Sequence, residues 1–164
     1  MLAVLTLLCS WNIGLADESA VQELQITAAY LYHFPKFIEW PSAIPVFHYC
    51  IYQDADFTEL LGTSYNDSAT TSDRIEVKNI DAHSKLKDCR LIYFSQPAPA
   101  GFLERIAKLS ILSVGTQKNF SDLGGIIYLF KEDQKMHFYI NNAAATAAGL
   151  KIGSQLLRLS REKP

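Results

Sequence analysis

Hydrophobic and polar positions change period repeatedly along the chain. Over residues 20–40, Leu24, Ala28, Leu31 and Ile38 recur at helical steps, and Tyr30, Phe34 and Phe37 widen the stripe. Pro35 lacks a backbone donor and predicts a kink or break. Trp40-Pro41 ends the segment, since a residue before proline avoids helical dihedrals. Residues 46–52 form a near-continuous apolar run, the pattern of a central strand covered on both faces. Asp56 reads as an N-cap with Glu59 three residues on, opening a short helix at Leu60 and Leu61. Residues 65–73 read as a polar loop. Over 74–80, Ile75 and Val77 alternate with Glu76 and Lys78, as in a half-exposed edge strand. A polar connection over 81–88 leads to a second buried strand at 89–94. Pro97 and Pro99 introduce a helix through Phe102, Leu103, Ile106 and Leu109, and 111–114 is a further strand.

The C-terminal stretch carries the strongest pattern. GGIIYLF and MHFYINN, rich in Ile, Tyr and Phe and separated by the charged KEDQK, predict a β-hairpin. Gly124 and Gly125 open it, where a backbone without Cβ turns sharply or approaches a neighbour closely. Asn141 or Asn142 then caps a helix predicted to run to Arg161. Its apolar stripe is Ala145, Ala148, Ile152, Leu156 and Leu159, with Leu157 beside it, while Lys151, Gln155, Arg158 and Arg161 lie mostly off it. Strands alternating with helices imply βαβ units. The expected fold is therefore an α/β three-layer sandwich, a mostly parallel sheet flanked by helices, with a C-terminal antiparallel hairpin.

Composition narrows the picture. The 164 residues suit one domain, and 49% hydrophobic with 20% charged residues is ordinary for a globular chain. A net charge of -2 gives no electrostatic case for nucleic acid or an anionic membrane surface. Residues 1–16 carry no charged side chain, and Gly14-Leu15-Ala16 offers small residues at the −3 and −1 positions of a signal peptidase. Export with cleavage after Ala16 is expected, leaving 17–164 as a single domain; the usual Lys or Arg near the start is missing, which leaves an upstream initiation site open. A lipoprotein reading on Cys9 is disfavoured by the large Leu8 before it. The segment is too short to span a bilayer as a stable helix, and nothing else in the chain is expected to cross one.

After cleavage the chain keeps Cys50 and Cys89, an even number in an oxidising compartment, with one pairing to make. Both lie in apolar strands, so the bridge would join neighbours; closing a loop of this length stabilises by about 4 kcal/mol in the chain-entropy model. The alternative is two buried free thiols packed as small apolar groups.

No catalytic signature emerges. His33, His48, His83 and His137 have no ligand-like spacing, so no metal is expected. The glycines around Lys118 lack the Gly-Lys-Ser/Thr end of a phosphate loop. Ser154 has no nucleophile-elbow context, and there is no CxxC. The expected protein has no cofactor and is not an enzyme. The basic residues Lys151, Arg158, Arg161 and Lys163 read as a solvated helix face or as a partner contact.

The pattern GG-I-apolar strand, F-x-I-N, A-x-x-AGL-x-I-x-SQLL-x-L over Gly124 to Leu159 resembles the C-terminal signature of the YfiR-like family of periplasmic proteins. Ala28-Ala29-Tyr30-Leu31-Tyr32 followed by Phe37-Ile38-Glu39-Trp40-Pro41 is similar to that family's N-terminal helix motif. The resemblance implies a periplasmic α/β regulator that binds the periplasmic part of an inner-membrane signalling protein, a diguanylate cyclase of cyclic di-GMP signalling, and represses it. It also implies homodimers. The alternative function is a periplasmic small-ligand-binding or sensor domain, associated with a transporter or receptor, using the mouth of the sheet at its strand C-termini.

A partner-binding face is expected on the last hairpin and helix. If Phe138 and Ile140 face the core, Tyr139 points to the other face and combines contact area with a polar tip. Lys151 and Gln155, four apart on the expected helix, would share one side of it. The alternative for Tyr139 is a place over the core beneath a flanking helix.

Overall fold

The computed structural model describes residues 15–43, 46–68 and 74–164, with the side chains of 18–65 and 74–164 in those segments. The expected signal peptide therefore lies almost wholly outside the described residues. A first helix, α1 (Leu15–His33), gives way to a 3-10 turn (Phe34–Phe37) and a two-residue strand, β1 (Ile38–Glu39). Pro35 thus breaks the helix as its missing donor requires. The helix ends well before Trp40-Pro41, and Ile38, expected on its apolar face, is buried from a strand instead.

β2 (Phe47–Tyr52), α2 (Ala55–Ser68), β3 (Ile75–Ile80) and β4 (Cys89–Phe94) follow. The cap of α2 is Asp54, whose carboxylate accepts from the Phe57 N–H at 3.0 Å; Asp56, two residues on, is already the second residue of the helix. The helix also continues through residues 65–68, where a loop was expected; 69–73 lie outside the described residues. The chain then forms α3 (Phe102–Ile106), β5 (Leu112–Gly115) and the antiparallel pair β6 (Ile127–Glu132) and β7 (Lys135–Ile140). Asp133 and Gln134 both have positive φ (48° and 60°), which matches the right-handed twist of the hairpin.

The main sheet has the order β3-β2-β4-β5-β6-β7, parallel from β3 to β6 and antiparallel at β7. This order decides which face each connection covers. The step from β2 to β3 runs one way along the sheet; the steps β3 to β4, β4 to β5 and β5 to β6 run the other way. Right-handed crossovers therefore place the first connection on one face and the other three on the opposite face. Burial agrees: Phe57, Leu61 and Tyr65 of α2 join Tyr49, Ile51 and Leu91 in one core. Leu86, Phe102 and Phe120, from the three later connections, join Cys50, Ile92 and Phe94 in the other.

The first face is left with one crossover helix, and the chain termini complete its cover. Ala28 and Leu31 of α1 lie in this core, as do Ala145, Ile152 and Leu156 of the C-terminal segment. That segment is not one helix. α4 (Asn142–Ala147) stops where Gly149 takes φ +74°, with Leu150 N–H donating to the Ala145 carbonyl at 2.9 Å and Gly149 N–H to that of Thr146 at 3.0 Å. This is a Schellman stop, which needs a residue that tolerates the left-handed region. β8 (Lys151–Ile152) then pairs antiparallel with β1, and α5 (Ser154–Leu159) closes the chain. The expected stripe survives the break for four of its five members; Ala145, Ala148, Ile152 and Leu156 are buried, but Leu159 is 63% exposed.

Candidate partner-binding surface

The elements expected to carry a partner site are fixed by local interactions. Asn141 caps α4, its Oδ1 accepting from the Ala144 N–H and its Nδ2 donating to the Ser121 carbonyl, both at 3.0 Å. The start of β6 is set by packing around Phe120, which is fully buried. A Cβ on Gly125 or Gly115 would overlap the Phe120 ring, and Gly124 beside them has φ +93°. Both roles expected of the glycine pair are met, one by each residue.

Tyr139 is half-buried. It packs with Phe130 against the core that holds Cys50, whereas Phe138 and Ile140 are buried on the other side of the sheet. Lys151 and Gln155 are exposed, but they belong to β8 and α5 rather than to one helix. Both elements sit on the Phe138 side. The three residues expected to form one surface are therefore split between two faces, because the alternation along β7 sends Tyr139 away from the C-terminal segment. Lys151 makes a two-oxygen contact with Glu39 across the β1–β8 pair, at 2.9 and 3.1 Å. Both side chains are more than two-thirds exposed, so this ion pair is worth about 0–1 kcal/mol.

A surface that the sequence did not reveal lies next to this segment. α1, the 3-10 turn, β7 and α5 leave an apolar groove of about 330 Å³, lined among others by Ile26, Tyr30, Phe34, Phe138, Leu156 and Leu159. Tyr30 and Phe34 form one wall, each ring within 5.7 Å of Phe138. Ile26 and Leu159 are exposed on the rim. Exposed apolar side chains gathered at one groove mark interaction surfaces. The signal in the sequence was present in α1, whose apolar positions exceed what one helix face buries.

Cys50 and Cys89 form a disulfide, with Cα atoms 5.8 Å apart on adjacent strands. Beside it on β2, His48 sits between the Asp88 carbonyl at 3.0 Å and the Glu76 carboxylate at 3.2 Å. Among the described residues, no three His, Cys, Asp or Glu side chains converge as a metal site would need. None of the described helices is long and apolar enough to cross a membrane.

No curated protein matches the chain. The model of the YfiR/HmsC-like family matches residues 24–161, from the middle of α1 to just beyond α5. The match spans every strand of both sheets, and the chain belongs to the YfiR/HmsC-like family.

Proposed function

We propose that this protein is a periplasmic regulatory binding protein that holds the periplasmic part of an inner-membrane diguanylate cyclase in its inactive state. The observation that carries this reading is membership of the YfiR/HmsC-like family over residues 24–161. The apolar groove between α1 and α5 supports it as a surface with the character of an interface core, with Lys151 and Gln155 on the adjoining C-terminal segment as polar contacts. Tyr139 supplies a second contact from the opposite face of β7. Repression of this kind is a population shift: the protein binds the off state more tightly than the on state. Moving such an equilibrium from 1:99 to 99:1 requires a difference of about 5.5 kcal/mol.

Loss of the protein is expected to raise cellular cyclic di-GMP, and the exported form, beginning at Asp17, is expected to retain a membrane cyclase when captured from a periplasmic extract. Lys151→Glu and Tyr139→Ala are expected to weaken that complex by about 1–3 kcal/mol, the first with the melting temperature nearly unchanged and the second with a modest loss, since Tyr139 is half-buried. A protein that retains Met1 in the cytoplasm, or a deletion strain with unaltered cyclic di-GMP, overturns the proposal. A large stability loss for Tyr139→Ala removes Tyr139 from the contact set.

A further inference from the structure

β2 and β4 run side by side without a continuous register. His48 opposes Cys89 and Tyr49 opposes Leu91, so Arg90 is the extra residue of a β-bulge on β4. Bulges release one side chain from strand alternation and re-aim it. Here the guanidinium reaches the chain that follows β1. Its Nη2 donates to the Ser42 carbonyl at 3.0 Å and to the Ser42 Oγ at 3.1 Å. Its central carbon lies 5.5 Å from the centre of the Trp40 ring, and Trp40 meets Phe47 edge-on at 5.6 Å.

Arg90 keeps only 9% of its surface, yet among the described residues no carboxylate pairs with it. A guanidinium carries five N–H donors on three nitrogens, and both contacts use one nitrogen. Tying down Ser42 accounts for Nη2; among the described residues no acceptor meets Nε or Nη1, and neither is a fully buried, unpartnered atom. A guanidinium so largely removed from water gains from a counter-charge that reaches its remaining donors. A cavity of about 370 Å³ opens at this place, lined by Trp40, Ser42, Ala43, Phe47 and Arg90. That volume falls within the range of small-molecule sites.

The lining selects the ligand's chemistry. One planar cation matches the two oxygens of a carboxylate. Among the described residues, no second cation lines the cavity to balance a doubly charged phosphate. Trp40 and Phe47 add flat apolar walls suited to a ring. We propose that this cavity binds a small aromatic carboxylate, the carboxylate on Arg90 and the ring against Trp40 and Phe47. The site lies at the N-terminal ends of β2 and β4, opposite the strand C-termini where an α/β sheet most often takes its ligand. It is independent of the cyclase reading, and its test involves no partner protein.

The chain has two tryptophans, so full-length protein carrying Trp11→Phe leaves Trp40 as the only indole reporter, inside the cavity wall. Its fluorescence is followed during titration with benzoate, benzamide and inorganic phosphate. The expected result is a saturable response to benzoate at roughly millimolar concentration, as a ligand of so few atoms allows. Benzamide, the neutral isostere, is expected to bind at least tenfold more weakly, and phosphate to give no saturable response. Arg90→Gln should abolish the benzoate response. Because Arg90 is buried and bonded to Ser42, its loss also costs stability, so the comparison of benzoate with benzamide on the unaltered cavity decides. A linear, non-saturating benzoate response overturns the proposal. So does equal binding of benzamide, which would make the cavity a neutral aromatic site, or equal binding of phosphate, which would make it an ion site.

Discussion

The two faces of the main sheet are covered by different means. On the first face lie α1, α2, α4 and α5, all helical, with an apolar groove left where α1 and α5 fail to close over Phe138. On the second face the sole helix among the described residues is α3, five residues long; the remaining cover is irregular chain carrying Leu86 and Phe120. The disulfide and the glycine-flanked Phe120 ring both lie on the second face. Where regular helices are scarce, the face carries a covalent tie between its adjacent strands and packing around Phe120 that tolerates no added atom. Where helices are plentiful, surface is left over for a partner.

Breaking the covalent tie is expected to have the largest effect. Cys89→Ser with Cys50→Ser should lower the unfolding free energy by about 4 kcal/mol, read from the midpoint and slope of urea denaturation. A loss below about 1 kcal/mol would mean that the short connections of the second face hold it without the bridge.

Two alanine substitutions sharpen the contrast in packing. Gly125→Ala places a methyl group against the Phe120 ring and should destabilise by about 1–3 kcal/mol. Gly62→Ala, inside α2 on the first face, meets nothing within 4 Å and should stabilise by about 0.5–1 kcal/mol through helix propensity. Thermal melts of the pair should move in opposite directions; a common direction would refute the difference between these two positions.

The smallest expected effect tests the polar part of the first face. The Tyr65 hydroxyl donates to the Ala28 carbonyl at 2.7 Å, joining α2 to α1. Tyr65→Phe should cost about 1 kcal/mol at neutral pH. Burial pushes the Tyr65 hydroxyl well above the usual tyrosine range, with Tyr49 and Tyr32 adding to it, and burial does the same to Tyr93. A pKa raised by folding means that stability is fully present below the unfolded value near pH 10 and is lost as pH rises beyond it. Urea midpoints should therefore fall above about pH 10, and less steeply in Tyr65→Phe. Equal slopes would place the alkaline sensitivity elsewhere.

Much of this architecture is legible in the chain because its signals are local. Apolar runs with β-branched and aromatic residues marked β2, β4, β6 and β7, and the alternation over Ile75 and Val77 marked β3 as an edge. Pro35 broke its helix, Asn141 capped the next, and Cys50 with Cys89 paired as an exported chain would require. The C-terminal helix was misread for an equally physical reason. Ala145, Ala148, Ile152 and Leu156 keep helical spacing while the chain passes through a Schellman stop and a strand, so periodicity alone could not see the break. Gly149 was the local clue to it.

Residues that meet only through the fold were beyond any pattern in the chain. The assignment of Tyr139 to one face and of Lys151 and Gln155 to the other depends on the order β5-β6-β7 and on β8 finding β1, a pairing across more than 100 residues. The groove exists because two chain ends, α1 and α5, share the cover of one face. Arg90 reads in the sequence as one polar residue in a buried strand; a bulge, a tryptophan fifty residues earlier and a serine carbonyl make it a largely buried cation with no carboxylate partner among the described residues. Short-range sterics and hydrogen bonding determined the elements, while strand order and crossover handedness, which are properties of the whole chain, decided what those elements bring together.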